Sequence, residues 1–181
     1  MANHEELNGA YTLDASHTTL AFVARHAMIT KVRGTLAAEG NAVLNAADPK
    51  ASSVTITADT SSVNTGNADR DAHLRSADFF DSENYPAITF TSTDVNVIGE
   101  DEVEVTGDLT IKDTTKQITI PLEYTGTVVD PFGNTRAGFE GKVPVKRTDF
   151  GLTWNAALEA GGVLVSDKVT LEFDVALVKN A

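Results

Sequence analysis

The chain has 181 residues, of which 26 are acidic and 14 are basic, so its formal net charge is −12. This length allows one domain with a substantial core. The acidic balance argues against binding to nucleic acids or anionic membranes, because both need clustered lysine and arginine. The lack of cysteine excludes disulfides and thiolate metal sites. No run of about 18 apolar residues occurs, so no transmembrane segment is predicted.

The first ten residues predict a flexible tail, and residues 11–181 predict a single domain. The tail carries neither a positively charged segment nor an apolar stretch after it. It therefore lacks the pattern of a secretory signal. We expect a cytoplasmic protein.

Most of the chain alternates between apolar and polar residues. The clearest alternation covers Glu102–Ile111 and Ile118–Tyr124, on either side of the polar turn Lys112–Lys116. A period of two is typical of antiparallel strands with one apolar and one polar face. Further strands are predicted at Tyr11–Leu13, Thr18–His26, Thr35–Glu39, Ser53–Thr60, Ala87–Val97, Arg136–Val145 and Val169–Leu177.

One segment, Asn67–Ser76, breaks the alternation and predicts a helix. Asn67 is a suitable N-cap, and Asp69 and Asp71 suit the positive end of the helix dipole. About eight strands and one short helix predict an all-β fold. Such strands form either a sandwich with a solid core or a closed barrel, and an eight-stranded barrel can hold one small ligand.

No nucleophile motif, phosphate-binding loop or dinucleotide fingerprint is present in the sequence. The four histidines are spaced without a metal-binding signature. Asp14 with His17, and Arg147 with Asp149, form polar pairs near strand ends. Such pairs tie loops down or line the mouth of a cavity, and both interpretations remain open.

Four sequence motifs occur in order along the chain: YTLDASHT from Tyr11, DAHLRSADFFD from Asp71, GDLTIK from Gly107 and RTDFGL from Arg147. Together they resemble the YceI-like polyisoprenoid-binding family across Tyr11–Val178. The resemblance implies an extended, lipocalin-like barrel of eight antiparallel strands with a short helix near one opening. It also implies a hydrophobic tunnel that holds a long isoprenoid lipid, either a polyprenyl phosphate or a quinone, without catalysis.

The expected tunnel is lined by large apolar side chains from all parts of the chain. They are Leu20, Phe22, Phe79, Phe80, Ile88, Phe90, Leu109, Ile111, Leu122, Tyr124, Phe139, Phe150, Trp154 and Phe173. The head group of the lipid is expected at the mouth, beside polar side chains. These are His17, His26, Arg33, His73, Arg147 and Asp149.

The predicted partner is therefore an isoprenoid lipid, with no cofactor, catalytic residue or metal. A homodimer is an open alternative to a monomer. A different hypothesis is a small-molecule enzyme that uses a cluster of histidine and aspartate, with or without a metal. A third is a structural or interaction module with a filled core. A continuous interior void would favour the carrier over that module.

Overall fold

The structure, a computed structural model, describes residues 4–159 and 161–181. Within them, nine strands and one α-helix, α1 (Ala68–Arg75), form the domain. Three short 3₁₀ helices cover Glu5–Leu7, Pro49–Ala51 and Arg147–Phe150. The strands are β1 (Gly9–Leu13), β2 (Thr19–His26), β3 (Thr30–Leu44), β4 (Ser53–Asn64), β5 (Ala87–Val97), β6 (Glu102–Ile111), β7 (Thr114–Val129), β8 (Thr135–Lys146) and β9 (Lys168–Lys179).

All neighbouring strands are antiparallel, and the sheet closes on itself through the pairing of β3 with β4. β1 and β2 follow one another in the same position of the ring, between β3 and β9. Thr12 of β1 lies opposite Asn41 and Val178, and Phe22 of β2 lies opposite Gly34 and Leu171. The nine strands therefore make a closed eight-stranded barrel, which confirms the predicted fold class.

The alternation predicted for Glu102–Tyr124 determines which residues face the barrel axis. Val105 on β6 and Ile120 on β7 are directly paired, and both are buried. Thr106 and Thr119 form the next pair, and their hydroxyl groups are hydrogen-bonded to each other on the outer face at 2.8 Å. The link between these strands is shorter than the five residues predicted, because pairing continues to Ile111 and Thr114.

The connections divide between two ends of the barrel. We call one the helix end: it carries α1, the β2–β3 and β6–β7 turns, and the β8–β9 connection, residues 147–167. We call the other the N-terminal end: it carries the 3₁₀ helix Glu5–Leu7, the β3–β4 connection, and the β5–β6 and β7–β8 hairpins. This arrangement follows from antiparallel order, because successive connections alternate between the two ends.

The helix was predicted correctly, and Asn67 caps it by accepting a 2.9 Å hydrogen bond from the Arg70 amide. β3 is much longer than the predicted strand Thr35–Glu39. Its extra residues pair with β2 at one end and with β1 and β4 at the other. Tertiary pairing therefore extends this strand through residues whose local pattern is mixed.

Part of the predicted N-terminal tail is structured. The 3₁₀ helix Glu5–Leu7 places Leu7, only 1% exposed, against the N-terminal end of the barrel, and Gly9 and Ala10 already belong to β1. Burial of Leu7 fixes this turn, which a local reading of polar residues does not reveal. Residues 1–3 of the predicted tail lie outside the described residues.

An ionic cluster joins the β1–β2 connection to the β7–β8 hairpin. The Arg136 guanidinium binds the carboxylate of Asp14 and, at 2.7 Å, that of Asp130. Hydrogen bonds from Ser16, then from Arg136 and His17, lower the pKa of Asp14. Arg136 and the Asn134 amide lower the pKa of Asp130 to about 2. The cluster thus stabilises the fold only while both carboxyls are ionised.

We expect Arg136→Met to lower the unfolding temperature at neutral pH. The unfolding temperature of this variant should also fall less than that of the native protein as the pH is lowered. In the native protein, the stabilisation is complete above the unfolded aspartate pKa of roughly 3.9. It is lost as the pH falls toward the folded value of about 2 at Asp130. Thermal unfolding followed by circular dichroism from neutral pH down through this window measures both effects.

Arg33→Met is the matched control, because it removes an arginine–carboxylate contact of 3.3 Å whose side chains are 52% and 37% exposed. Exposed ion pairs contribute little to stability. The control should therefore keep the native acid transition. An Arg136→Met protein with an unchanged transition would contradict the role assigned to the cluster.

Candidate functional site

The barrel encloses a cavity of ≈180 Å³. It extends from Leu7 and Val103 near the N-terminal end to Ile111 near the helix end. A single water needs roughly 10–15 Å³ on the same measure. The cavity is therefore an elongated hollow and not a local packing defect.

Its wall is almost entirely hydrocarbon. Among the described residues, no Asp, Glu, Lys, Arg or His lines the cavity, and the polar residues in its wall are Asn45, Ser52 and Ser53. These three belong to the β3–β4 region at the N-terminal end. The main-chain N–H of Asn45 donates to Ser52 Oγ at 2.9 Å. The side-chain Oδ1 of Asn45 accepts from the main-chain N–H of Asp48, also at 2.9 Å. The interior thus suits an uncharged apolar chain.

Nine of the fourteen side chains predicted to face a tunnel line this cavity. They come from six strands, and each occupies an inward position of its strand. They are Leu20, Phe22, Ile88, Phe90, Leu109, Ile111, Leu122, Phe139 and Phe173.

The other five predicted tunnel residues lie outside the cavity wall. Phe79, Phe80, Phe150 and Trp154 follow α1 or β8 and pack at the helix end, because their segments cross the end of the barrel and do not run along it. Tyr124 lies on β7 toward the N-terminal end, where its ring contacts Phe139 with centroids 5.5 Å apart. Aromatic type alone does not distinguish these packing roles from a place in the wall.

The helix end is sealed by a cluster of aromatic rings. His73 of α1 lies edge-on to Phe79 and Trp154, with ring centroids 5.0 Å and 4.6 Å away. Its Nε2 atom is 2.8 Å from Asp78 Oδ2, which orients the imidazole. Phe80 meets the ring of Phe22 at 6.1 Å, and so connects this seal to the cavity wall. His73 therefore connects α1 to two rings of this seal.

The N-terminal end is closed by a smaller group of residues. Leu7 contributes directly to the cavity wall. The turn that carries it is fastened by His4, whose two ring nitrogens are each 3.2 Å from a carboxylate oxygen, of Glu6 and of Asp101. The His4 ring also contacts Tyr124 edge-on, with centroids 4.8 Å apart.

The six residues predicted to surround a head group do not converge at one mouth. His17 and Arg33 lie on the outer wall, where His17 Nδ1 is 2.8 Å from Asp14 and Arg33 Nε is 3.3 Å from Glu172. His26 is exposed at the end of β2. Arg33 is an outward residue of β3, so the sheet itself separates it from the cavity. His17 lies in the β1–β2 connection and does not line the cavity.

His73, Arg147 and Asp149 lie at the helix end, as does His26, but none of them lines the cavity. Asp149 is exposed and lies 3.9 Å from Lys116. Its contact therefore links the β8–β9 connection to β7 at the surface.

Arg147 is buried, with 7% of its surface exposed, and four of its five N–H donors bind main-chain carbonyls. Nε donates to Ser166 at 2.8 Å, Nη1 to Leu152 and Trp154 at 2.5 Å and 2.9 Å, and Nη2 to Val165 at 3.3 Å. Burial lowers the pKa of Arg147. The guanidinium thus orders the β8–β9 connection through these four hydrogen bonds.

Sequence reasoning missed several wall residues. The inward valines and isoleucines Val95, Val103, Val105 and Ile120 also line the cavity, and the period of two already identified their face. Leu7, Asn45 and Pro49 carry no such signal, because they belong to irregular segments that only the closed barrel brings to its end.

A second depression, of ≈790 Å³, lies on the outer wall and is lined by charged residues that include Arg33, Glu123, Glu140 and Lys142. It is larger than the interior cavity, but it is open to solvent along the outward faces of β2, β3 and β6–β9. We regard the interior cavity as the site, because only that cavity excludes water from an apolar ligand.

Two further features of the described residues concern metals and membranes. No three of their His, Asp or Glu side chains are grouped closely enough to hold a metal ion. Residues 4–159 and 161–181 also contain no helix whose length and apolar character would let it cross a membrane.

Comparison with known proteins identifies the family. The YceI-like domain matches residues 11–177. A UPF0312 protein of Ectopseudomonas mendocina is 44% identical over 115 residues, which are 64% of this chain but only 60% of that relative. Protein YceI of Escherichia coli O157:H7 is 39% identical over 140 residues, covering 77% of this chain and 73% of that protein.

Solved structures share the barrel. Burkholderia cenocepacia BcnA superposes with a TM-score of 0.78 at 23% identity, over 91% of this chain and 98% of its own. The Campylobacter jejuni YCEI protein gives 0.74 at 28% identity, over 87% and 90%. A polyisoprenoid binding domain from Saccharophagus degradans, implicated in plant cell wall breakdown, gives 0.71 at 20% identity, over 94% and 98%. The chain belongs to the YceI-like family.

Proposed function

We propose that this protein binds a long isoprenoid lipid, either a polyprenyl phosphate or a quinone, and stores or transports it without catalysis. The observation that carries the proposal is the elongated cavity whose described wall has no ionisable side chain. The fold similarity to a polyisoprenoid binding domain supports the choice of lipid. The tail would occupy the cavity, where it is shielded from water.

The energetics favour such a ligand. Each buried methylene-sized group contributes about 0.8 kcal/mol, so a five-carbon unit contributes roughly 4 kcal/mol before costs. Ordering the chain and desolvating its polar head oppose this gain. A tail of a few units therefore binds tightly without any charged contact inside the barrel.

We propose that the head group lies at the N-terminal end, beside Asn45 and Ser52. This is where the polar residues of the cavity wall are found. At the opposite end, four of the five donors of Arg147 are already bound to carbonyls, and His73 is held between Asp78 and two aromatic rings. A site at that end would require these contacts to break.

The alternative of a small-molecule enzyme, with or without a metal, needs histidine and aspartate side chains that meet around a substrate. Here His17 pairs with Asp14 on the outer wall, and His73 pairs with Asp78 at the helix end. These pairs tie segments together at separate places. The geometry therefore favours the binding function.

Protein purified from its native host should carry a bound isoprenoid. Native mass spectrometry should show an added mass that organic extraction removes, and the extract should contain a polyprenyl phosphate or a quinone. Refolded protein should take up geranylgeraniol from solution. A clean apo mass together with no uptake of added polyprenol or quinone would contradict the proposed function.

Ala58→Phe should abolish this uptake while the protein remains folded. Ala58 is 5% exposed and lines the cavity, so a phenyl ring there would enter the hollow. Thr55→Phe adds the same ring on the exposed face of β4 and should bind as the native protein does. In a filled core, Ala58→Phe would instead cost about 1–3 kcal/mol of stability. Unfolding curves and uptake, measured together, separate these outcomes.

Arg147→Met should destabilise the protein without weakening uptake by the folded fraction. It leaves buried carbonyl groups without their donor, and each such loss costs about 1–3 kcal/mol. Lys146→Met, at the exposed neighbouring position, is the control for the loss of one positive charge. Native stability combined with weak uptake of a polyprenyl phosphate would instead place the head group at Arg147.

A further inference from the structure

Two aromatic rings in the cavity wall lie directly over glycines of the neighbouring strand. Phe22 on β2 is the cross-strand partner of Gly34 on β3. A methyl carbon placed on Gly34 would be 2.3 Å from Cζ of Phe22 and 2.6 Å and 2.9 Å from its two Cε atoms. The ring therefore fills the space that a side chain at position 34 would take.

The same arrangement recurs between β5 and β6. A methyl carbon on Gly107 would be 2.6 Å from Cζ and 2.8 Å from Cε2 of Phe90. Gly107 is paired with Ser92, so the Phe90 ring reaches it along the diagonal of the sheet. Phe22 and Phe90 both line the cavity.

Backbone conformation does not require either glycine. Seven glycines of the described chain have a positive φ, but Gly34 and Gly107 are not among them. Glycine in the interior of a strand weakens that strand, and it commonly marks a place where another group approaches the main chain closely. Here the approaching groups are the two phenyl rings.

We propose that Gly34 and Gly107 set the bore of the cavity, which is its internal width. They do so because they let Phe22 and Phe90 lie flat against the wall. The two pairs lie on β2–β3 and β5–β6, with β4 between them. Each pair therefore keeps a ring out of the hollow at a different part of the wall. The whole cavity of ≈180 Å³ suits one slender chain. The bore thus selects single-chain isoprenoids over fused-ring sterols and two-chain phospholipids. This inference rests on the proposed function.

Gly34→Ala tests the bore directly. The added methyl group must displace the Phe22 ring, and because the wall lies behind Gly34, the ring moves into the hollow. We expect binding of geranylgeraniol to weaken at least tenfold, measured by native mass spectrometry and by competition in solution. Gly107→Ala is less suitable, because its methyl carbon would also lie 2.5 Å from the Thr91 carbonyl oxygen.

The double variant Phe22→Leu with Gly34→Ala should restore binding to within about threefold of the native protein. The shorter leucine leaves room for the new methyl group. Gly138→Ala is the matched control: its methyl carbon would meet only the Thr125 hydroxyl oxygen closely, at 2.4 Å, away from the cavity wall. It should bind as the native protein does. Native affinity in Gly34→Ala, or no rescue by Phe22→Leu, would overturn the proposal.

A second arm does not depend on the folding of Gly34→Ala. Phe22→Ala removes one ring and should admit cholesterol, which the native protein should exclude together with dioleoylphosphatidylcholine. Equal uptake of cholesterol and geranylgeraniol by the native protein would refute selection by the bore while leaving the proposed function intact. No uptake of any single-chain isoprenoid by the native protein would instead refute the proposed function.

Discussion

The structure depends on closing an alternating sheet into a ring, because closure turns every second residue of eight strand positions toward one axis. The interior therefore collects the apolar residues and the exterior collects the charges. On the outer face, Glu102, Glu123, Glu140 and Asp174 lie in register on four neighbouring strands. One layer of main chain separates this acidic row from the apolar cavity. That separation lets an acidic protein enclose hydrocarbon.

The two ends of the barrel differ in how they are closed, so the two ends of the cavity differ in chemical character. The helix end is filled by aromatic rings and by the guanidinium of Arg147, whose partners are all carbonyls of its own connection. The N-terminal end is covered by Leu7 and by the polar β3–β4 connection. The end that carries α1 is thus a structural seal. Under the proposed function, the polar end of the ligand would lie beside the β3–β4 connection.

Several residues with catalytic or ligand-binding chemistry are used for architecture. Arg147, His17 and His73 are polar, occur in the family motifs and were expected at a mouth, yet each is bound to groups of its own fold. Conversely, the wall is made of residues that look unremarkable in the sequence, such as Ala58 and Val105. If the protein carries an apolar chain as proposed, its site is the shape of the interior and the hydrocarbon that lines it.

The sequence by itself determined the strands with strong alternation, the helix capped by Asn67, and the apolar face to which Leu109 and Leu122 belong. Those features follow from local periodicity and from hydrogen bonds between near neighbours. Only the tertiary structure decided that β1 and β2 share one place in the ring and that Leu7 closes its end. It also decided that Phe79 and Trp154 form a seal and that Phe22 lies flat on Gly34. These outcomes depend on which strands become neighbours, and pairing between distant residues leaves no periodic trace along the chain.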